Sequence, residues 1–109
     1  MGVELTTYLM FAVDLSDYNI DMETIAKECE GHPERRFDVV FDAAWGKYLY
    51  AGKILGRIDP HDDKAVMFDL HDLGRLWMKC SILSHKISKA TGIDVDPDSF
   101  KIMLIPDYY

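Results

Sequence analysis

An uninterrupted apolar run at residues 8–13 constrains the fold of this 109-residue chain more than any other feature. It lies within the stretch 6–15, which has no polar face, so a strand here would present apolar side chains to both sides of a sheet. Such strands are typical of the middle of a sheet whose two faces are both covered. The run is also much shorter than the ~20 apolar residues that a transmembrane helix requires. The sequence therefore predicts a buried central strand at 6–15.

Two helices are predicted from their periodicity and end signals. Asp21 is suited to the N-cap of the first, Ile20 and Ile25 occupy the positions of a hydrophobic staple, and Gly31 can adopt the left-handed conformation that ends a helix. A stronger helical pattern runs from 73 to 90 and is closed by a glycine. Its apolar stripe, which we expect to be buried, consists of Leu73, Leu76, Trp77, Cys80, Leu83, Ile87 and Ala90.

Further strands complete the predicted sheet. The stretch 37–42 carries aspartates along one face, which is typical of an edge strand, and 47–56 is its hairpin partner. The last strand is 100–105, and the short apolar run 65–68 could add a fifth. This element order predicts one α+β domain over 1–109, with two helices packed on a four- to five-stranded, mainly antiparallel sheet in the ferredoxin-like βαββαβ order. In that order the first and third strands are central.

The charge balance narrows the classes of partner. Nineteen acidic residues outnumber twelve basic ones and give a net charge of −7. Proteins that coat nucleic acid or anionic membranes need a cationic face, so we expect neither direct nucleic-acid binding nor membrane binding. The stretch 47–54 also lacks the glycines that separate the aromatic residues in the signature of RNA-recognition domains.

The cysteine content and the first residues indicate a cytoplasmic protein. Cys29 and Cys80 lie among the apolar positions of two different predicted helices, which favours reduced core thiols over a disulfide. The chain does not begin with a cationic segment followed by an apolar run, so we expect no secretion signal.

Two clusters of acids and histidines have the residue types of a divalent metal site. They are Asp59, His61, Asp62 and Asp63, and Asp69, His71 and Asp72. If the clusters meet, His61, Asp63 and His71 are the candidate ligands, and the chain would be a small metal-binding or metal-dependent hydrolytic domain. Turn chemistry around Asp59 and capping of the long helix by Asp72 explain the same residues without a metal. Because no nucleophile or phosphate-loop motif accompanies them, we expect no cofactor and a non-catalytic protein.

The long predicted helix concentrates positive charge. It contains no acid between 73 and 90, and removing its four bases from the net charge of −7 leaves −11 on the rest of the chain. On a helical projection the bases lie within about 80° of one another, with Ile82 in their middle and Met78 beside them. This candidate interaction surface consists of Arg75, Met78, Lys79, Ile82, Lys86 and Lys89. A solvated helix face is enough to explain the lysines without any partner. Charge around an apolar centre instead favours a protein partner or a homodimer.

The acidic remainder offers a second mode of binding. Its carboxylates could occupy the basic, nucleic-acid-binding site of another protein, and that interaction would weaken with salt. The candidate residues are Asp38, Asp42, Asp59, Asp62 and Asp63.

Three stretches, 7–15, 41–42 and 48–56, together with the aromatic C-terminal residues, resemble small acidic proteins that phages and prophages encode. The resemblance carries no catalytic motif and no residue roles. It implies the cytoplasm of a bacterial host, where such proteins act by binding a host or phage macromolecule, in some cases as inhibitors. The sequence thus predicts a binding protein.

Overall fold

The computed structural model describes residues 5–18, 20–30 and 37–108. Strands and helices follow in the order β1, α1, β2, β3, α2, α3 and β4, an α+β arrangement. Their bounds are β1 Leu5–Asp14, α1 Met22–Glu30, β2 Asp38–Phe41, β3 Leu49–Ile58, α2 Leu70–Met78, α3 Cys80–Thr91 and β4 Lys101–Tyr108. A short 3-10 turn, Pro97–Ser99, precedes β4. No helix in the described ranges is both long and apolar enough to cross a membrane.

The four strands form one antiparallel sheet in the order β2-β3-β1-β4. The prediction that the first and third strands are central and the other two lie at the edges is therefore confirmed. Gly52 of β3 pairs with Ala12 of β1 at the centre of the sheet. A Cβ atom at Gly52 would overlap the Phe11 carbonyl oxygen and approach the Ala12 Cα to 2.6 Å, so this pairing requires glycine.

The prediction of a single helix over 73–90 is wrong. Lys79 interrupts it with φ −96° and ψ 6°, and its N–H donates to the Leu76 carbonyl, which tightens and ends α2. The element order is therefore βαββααβ, and the predicted βαββαβ order is not matched. Helix α2 also begins earlier than expected, because the N-cap is Asp69, which accepts from the His71 N–H at 2.8 Å, and Asp72 lies in the first turn.

Two strand predictions are also corrected. Residues 65–68 form no strand, and Val66 instead lies in the space that a side chain at Gly56 would occupy. The last strand does not stop before Pro106 but continues to Tyr108, which an edge strand permits.

The main core lies between the helices and one face of the sheet. It includes Phe11 and Val13 of β1, and Leu83 and Ile87 of α3. Cys29 and Cys80 are buried in it and form no disulfide, as predicted. Other local predictions hold as well. The Asp21 carboxylate accepts from the Thr24 N–H and hydroxyl, Ile20 and Ile25 pack on the core, and Gly92 ends α3 with φ +75°. Gly31 lies outside the described residues.

The opposite face of the sheet, called here the tyrosine face, has a second cluster, whose described members all belong to the strands or to the β2–β3 connection. Its buried members are Met10, Ala12, Val40 and Ile105, and around them pack Tyr8, Tyr48, Tyr50, Ile54 and Met103. The rings of Tyr48 and Tyr50 stack with centroids 5.2 Å apart. Aromatic side chains of the sheet itself thus cover the side of β1 that faces away from the helices.

Candidate functional site

Helices α2 and α3 carry the predicted interaction surface. Arg75 and Met78 belong to α2, Lys79 is the junction, and the remaining members, Ile82, Lys86 and Lys89, belong to α3. Met78 is 83% exposed and Ile82 57%, while Arg75, Lys79 and Lys89 are exposed and Lys86 is half-buried. The surface therefore places two apolar side chains in solvent beside cations. We call these six residues the α2–α3 surface.

Helix α2 extends this apolar exposure further than the sequence indicated. None of its residues is buried, and only Leu73 and Leu76 pack against the core. Trp77, predicted to lie in the buried stripe, is 61% exposed, because the interruption at Lys79 ends the stripe that would have held it against the core. Leu70 and Met67 are also exposed. The signal for these residues was the number of large apolar side chains between 65 and 78, which is more than one helix stripe can bury.

A cleft of about 260 Å³ lies beside the α2–α3 surface, between β3 and α2. Its walls combine apolar side chains with three cations and one carboxylate, and they consist of Lys53, Ile54, Leu55, Phe68, Asp72, Arg75, Leu76 and Lys79. Arg75 lies 3.8 Å from Asp72 in a largely exposed ion pair. Among the described residues no acid lies within ion-pair distance of Lys53 or Lys79. An acidic group attached to an apolar side chain matches this lining.

The predicted metal ligands do not form a cluster. His61, Asp63 and His71 are all exposed, and the described part of the chain contains no group of three metal-ligating side chains. Neighbouring acids have local roles, because Asp62 accepts from the Asp59 N–H and Asp59 pairs with Arg57 at 2.6 Å. The geometry around residues 59–72 thus matches turns and a helix cap.

The carboxylates proposed to imitate nucleic acid do not share one exposed face. Asp42 is 3% exposed, and it accepts from the backbone N–H groups of Ala44, Trp45 and Lys47. Asp38 accepts from the Ile54 N–H at 2.8 Å. These two acids hold the β2–β3 connection and the edge of the sheet, so only the acids of the 59–63 loop remain on the surface for such a mode.

A second cleft, of about 470 Å³, lies between α1 and the β2–β3 connection. Trp45, which is 65% exposed, stands at its rim, and Phe41 and Ala26 line its interior. Three charged residues line it: Glu23 and Lys27 pair with each other at 3.1 Å, and Asp42 accepts from backbone N–H groups. Its described charged groups thus all have partners, unlike Lys53 and Lys79 in the cleft beside α2.

The thiol of Cys80 is buried in the core. Burial raises its pKa, and the negative charge of Asp98 raises it further. Both effects disfavour the thiolate, which is the reactive form of cysteine.

Comparison with protein-family profiles, curated proteins and solved structures finds no match to this chain. The α2–α3 surface and its cleft are therefore interpreted from their chemistry.

Proposed function

We propose that this protein is a non-catalytic binding protein that recognises an acidic protein partner through the α2–α3 surface. One observation carries the proposal: no residue of α2 is buried, and its large apolar side chains Leu70, Trp77 and Met78 are each more than half exposed. Exposed apolar side chains are common singly, but a helix that exposes several together marks a contact surface. Tryptophan and arginine are also the residue types that dominate binding energies at interfaces.

The charges around these side chains specify the kind of partner. Lys79 and Lys53 have no acidic partner among the described residues, and Arg75 has only an exposed one. The rest of the chain carries an excess of acids, so a basic partner would be drawn to other faces while an acidic one is directed to α2 and α3. Following the resemblance to phage-encoded proteins, the partner we propose is a bacterial host or phage protein whose activity the binding inhibits.

Affinity capture from a bacterial lysate with quantitative mass spectrometry tests this function. We expect an acidic protein to be enriched by the wild type and lost with Trp77→Ala and with Ile82→Glu. Trp45→Ala is the matched control, because Trp45 is exposed to nearly the same extent as Trp77 but lies beside α1. Enrichment that survives Trp77→Ala and Ile82→Glu, or that falls equally with Trp45→Ala, would contradict the proposal.

The salt dependence of capture gives a second readout. Contacts between exposed charges weaken as ionic strength rises, because the Debye length falls from about 10 Å at 0.1 M to about 3 Å at 1 M. We expect Lys79→Glu to reduce capture at low salt and to differ less from the wild type at high salt. Lys47→Glu changes the charge equally at an exposed position away from α2 and should leave capture unchanged.

A further inference from the structure

Strand β4 leaves apolar side chains uncovered on the helix side of the sheet. Met103 and Ile105 face the tyrosine cluster and Phe100 faces the main core, so Ile102 and Leu104 lie on the helix side. The helices pack mainly over the other half of the sheet, with α1 against β2 and α3 against β3. Ile102 is 48% exposed and Leu104 72% as a result.

The outer edge of β4 pairs with no other strand in the described part of the chain, and its backbone groups follow a defined pattern. A proline within a sheet is tolerated where its missing N–H would point away from the neighbouring strand. Because backbone groups of alternate residues point to opposite sides of a strand, Ile102 and Leu104 direct their N–H and C=O groups to the same free edge as Pro106. The Pro106 carbonyl oxygen, which lies 3.3 Å from the Tyr48 hydroxyl, keeps a second lone pair for another donor.

We propose that this edge binds a second copy of the chain, with the two β4 strands antiparallel about a twofold axis beside Leu104. This register places Leu104 opposite the partner's Leu104 and Lys101 opposite the partner's Asp107. Each copy contributes the Leu104 N–H to the partner's Leu104 carbonyl and the Ile102 N–H to the partner's Pro106 carbonyl. The missing N–H of Pro106 removes one interchain hydrogen bond per copy and leaves the others in place. The two sheets become one continuous sheet with all helices on the same side.

Charge complementarity selects the second copy as the occupant. The only charged residues of β4 are a base near one end and an acid near the other, and both lie on the tyrosine face. An antiparallel copy of the same strand therefore matches it at both ends, whereas moving the axis by one residue places Asp107 opposite the partner's Met103 or the partner's Ser99. Asp107 uses Oδ1 for Tyr48, which leaves its other carboxylate oxygen for the partner's Lys101. The proposal does not depend on the α2–α3 surface.

Light scattering on a sizing column, over a wide dilution series, tests the dimer. We expect the wild type to elute with the mass of two chains and Leu104→Lys, which places two ammonium groups at the axis, to elute with the mass of one. The dissociation constant should rise about 30-fold or more for this variant. A wild type that is a monomer at the highest concentration reached, or a Leu104→Lys variant that stays a dimer, would overturn the proposal.

Charge exchange tests the register itself. Lys101→Asp and Asp107→Lys should each weaken the homodimer, because like charges then face each other at both ends. A mixture of the two variants should form a heterodimer, since each pair of opposed residues again has opposite charge. Lys89→Asp is the control for a dimer formed through α3, and we expect it to remain dimeric. Dissociation of Lys89→Asp, or no heterodimer in the mixture, would reject β4 in this register.

Discussion

The Tyr48 hydroxyl lies 2.6 Å from Oδ1 of Asp107, across the tyrosine face. The two residues lie beside opposite ends of β1. Tyr50, two residues after Tyr48, pairs with Asp14, whereas Asp107 pairs with Thr6. In a flat strand Thr6 and Asp14, which are eight residues apart, would be separated by about 26 Å. The sheet is therefore strongly coiled toward the tyrosine face, and the bulge between Leu9 and Met10 is one source of the bend.

This contact predicts a loss of stability at alkaline pH. Burial raises the pKa of Tyr48, and the hydrogen bond to Asp107 raises it further; burial also raises the pKa of Tyr50. The folded state thus holds phenol protons that the unfolded chain releases above its ordinary pKa of 10.0. The contribution to the free energy of unfolding is complete below pH 10 and declines as the pH rises above it.

The Tyr48→Phe variant isolates that hydrogen bond. We expect it to be about 1 kcal/mol less stable than the wild type at neutral pH, and the difference to shrink above pH 10, when Tyr48 of the unfolded wild type ionises. Urea unfolding followed by circular dichroism at a series of pH values measures both. A difference that stays constant into the alkaline range would show that Asp107 does not control this tyrosine.

Gly52→Ala should destabilise the protein by about 2 kcal/mol or more. The new methyl group would overlap the Phe11 carbonyl and the Ala12 backbone, which cannot move without separating β1 from β3. Gly74→Ala is the control, because nothing lies within 4 Å of its Cβ position in α2. We expect that variant to gain about 0.5 to 1 kcal/mol from helix propensity. Thermal unfolding that gives the two variants equal midpoints would refute the close approach at Gly52.

The Asp42→Ala variant should lose about 2 to 3 kcal/mol of stability. Its buried carboxylate accepts from the N–H groups of Ala44, Trp45 and Lys47, and the variant leaves these three donors without that partner. Asp63→Ala, at an exposed loop position, is expected to stay within about 0.5 kcal/mol of the wild type. Denaturant unfolding of both variants is the measurement, and a small effect at Asp42 would mean that water replaces the carboxylate.

The α2–α3 surface should contribute little to folding. Trp77→Ala is expected to change the free energy of unfolding by less than about 1 kcal/mol, because most of the side chain is already in solvent. Leu83→Ala, in the core beneath the same helices, should cost about 2 to 5 kcal/mol. If Trp77→Ala were as destabilising as Leu83→Ala, its side chain would belong to the core.

Sequence patterns predicted the elements that local rules control. The apolar run at 8–13 required a central strand, and Asp21 and Gly92 marked helix ends through side-chain and backbone preferences. The interruption at Lys79 escaped prediction because the apolar spacing runs through it without a proline or glycine. The wrong prediction that Trp77 is buried follows from the same interruption. The contact between Tyr48 and Asp107 on the tyrosine face could not be predicted from sequence, because these residues meet only when the sheet coils.

The break at Lys79 also has a consequence for the local stability of α2. Helix α3 is tied to the core by Leu83 and Ile87, whereas α2, which ends just before Lys79, has no buried residue. We expect such a segment to open at a lower free energy than the whole domain, and its amide hydrogens to exchange with solvent before those of α3. The partner proposed above should stabilise α2 when it binds Trp77 and Met78, and slower hydrogen exchange in α2 would then report how much partner is bound.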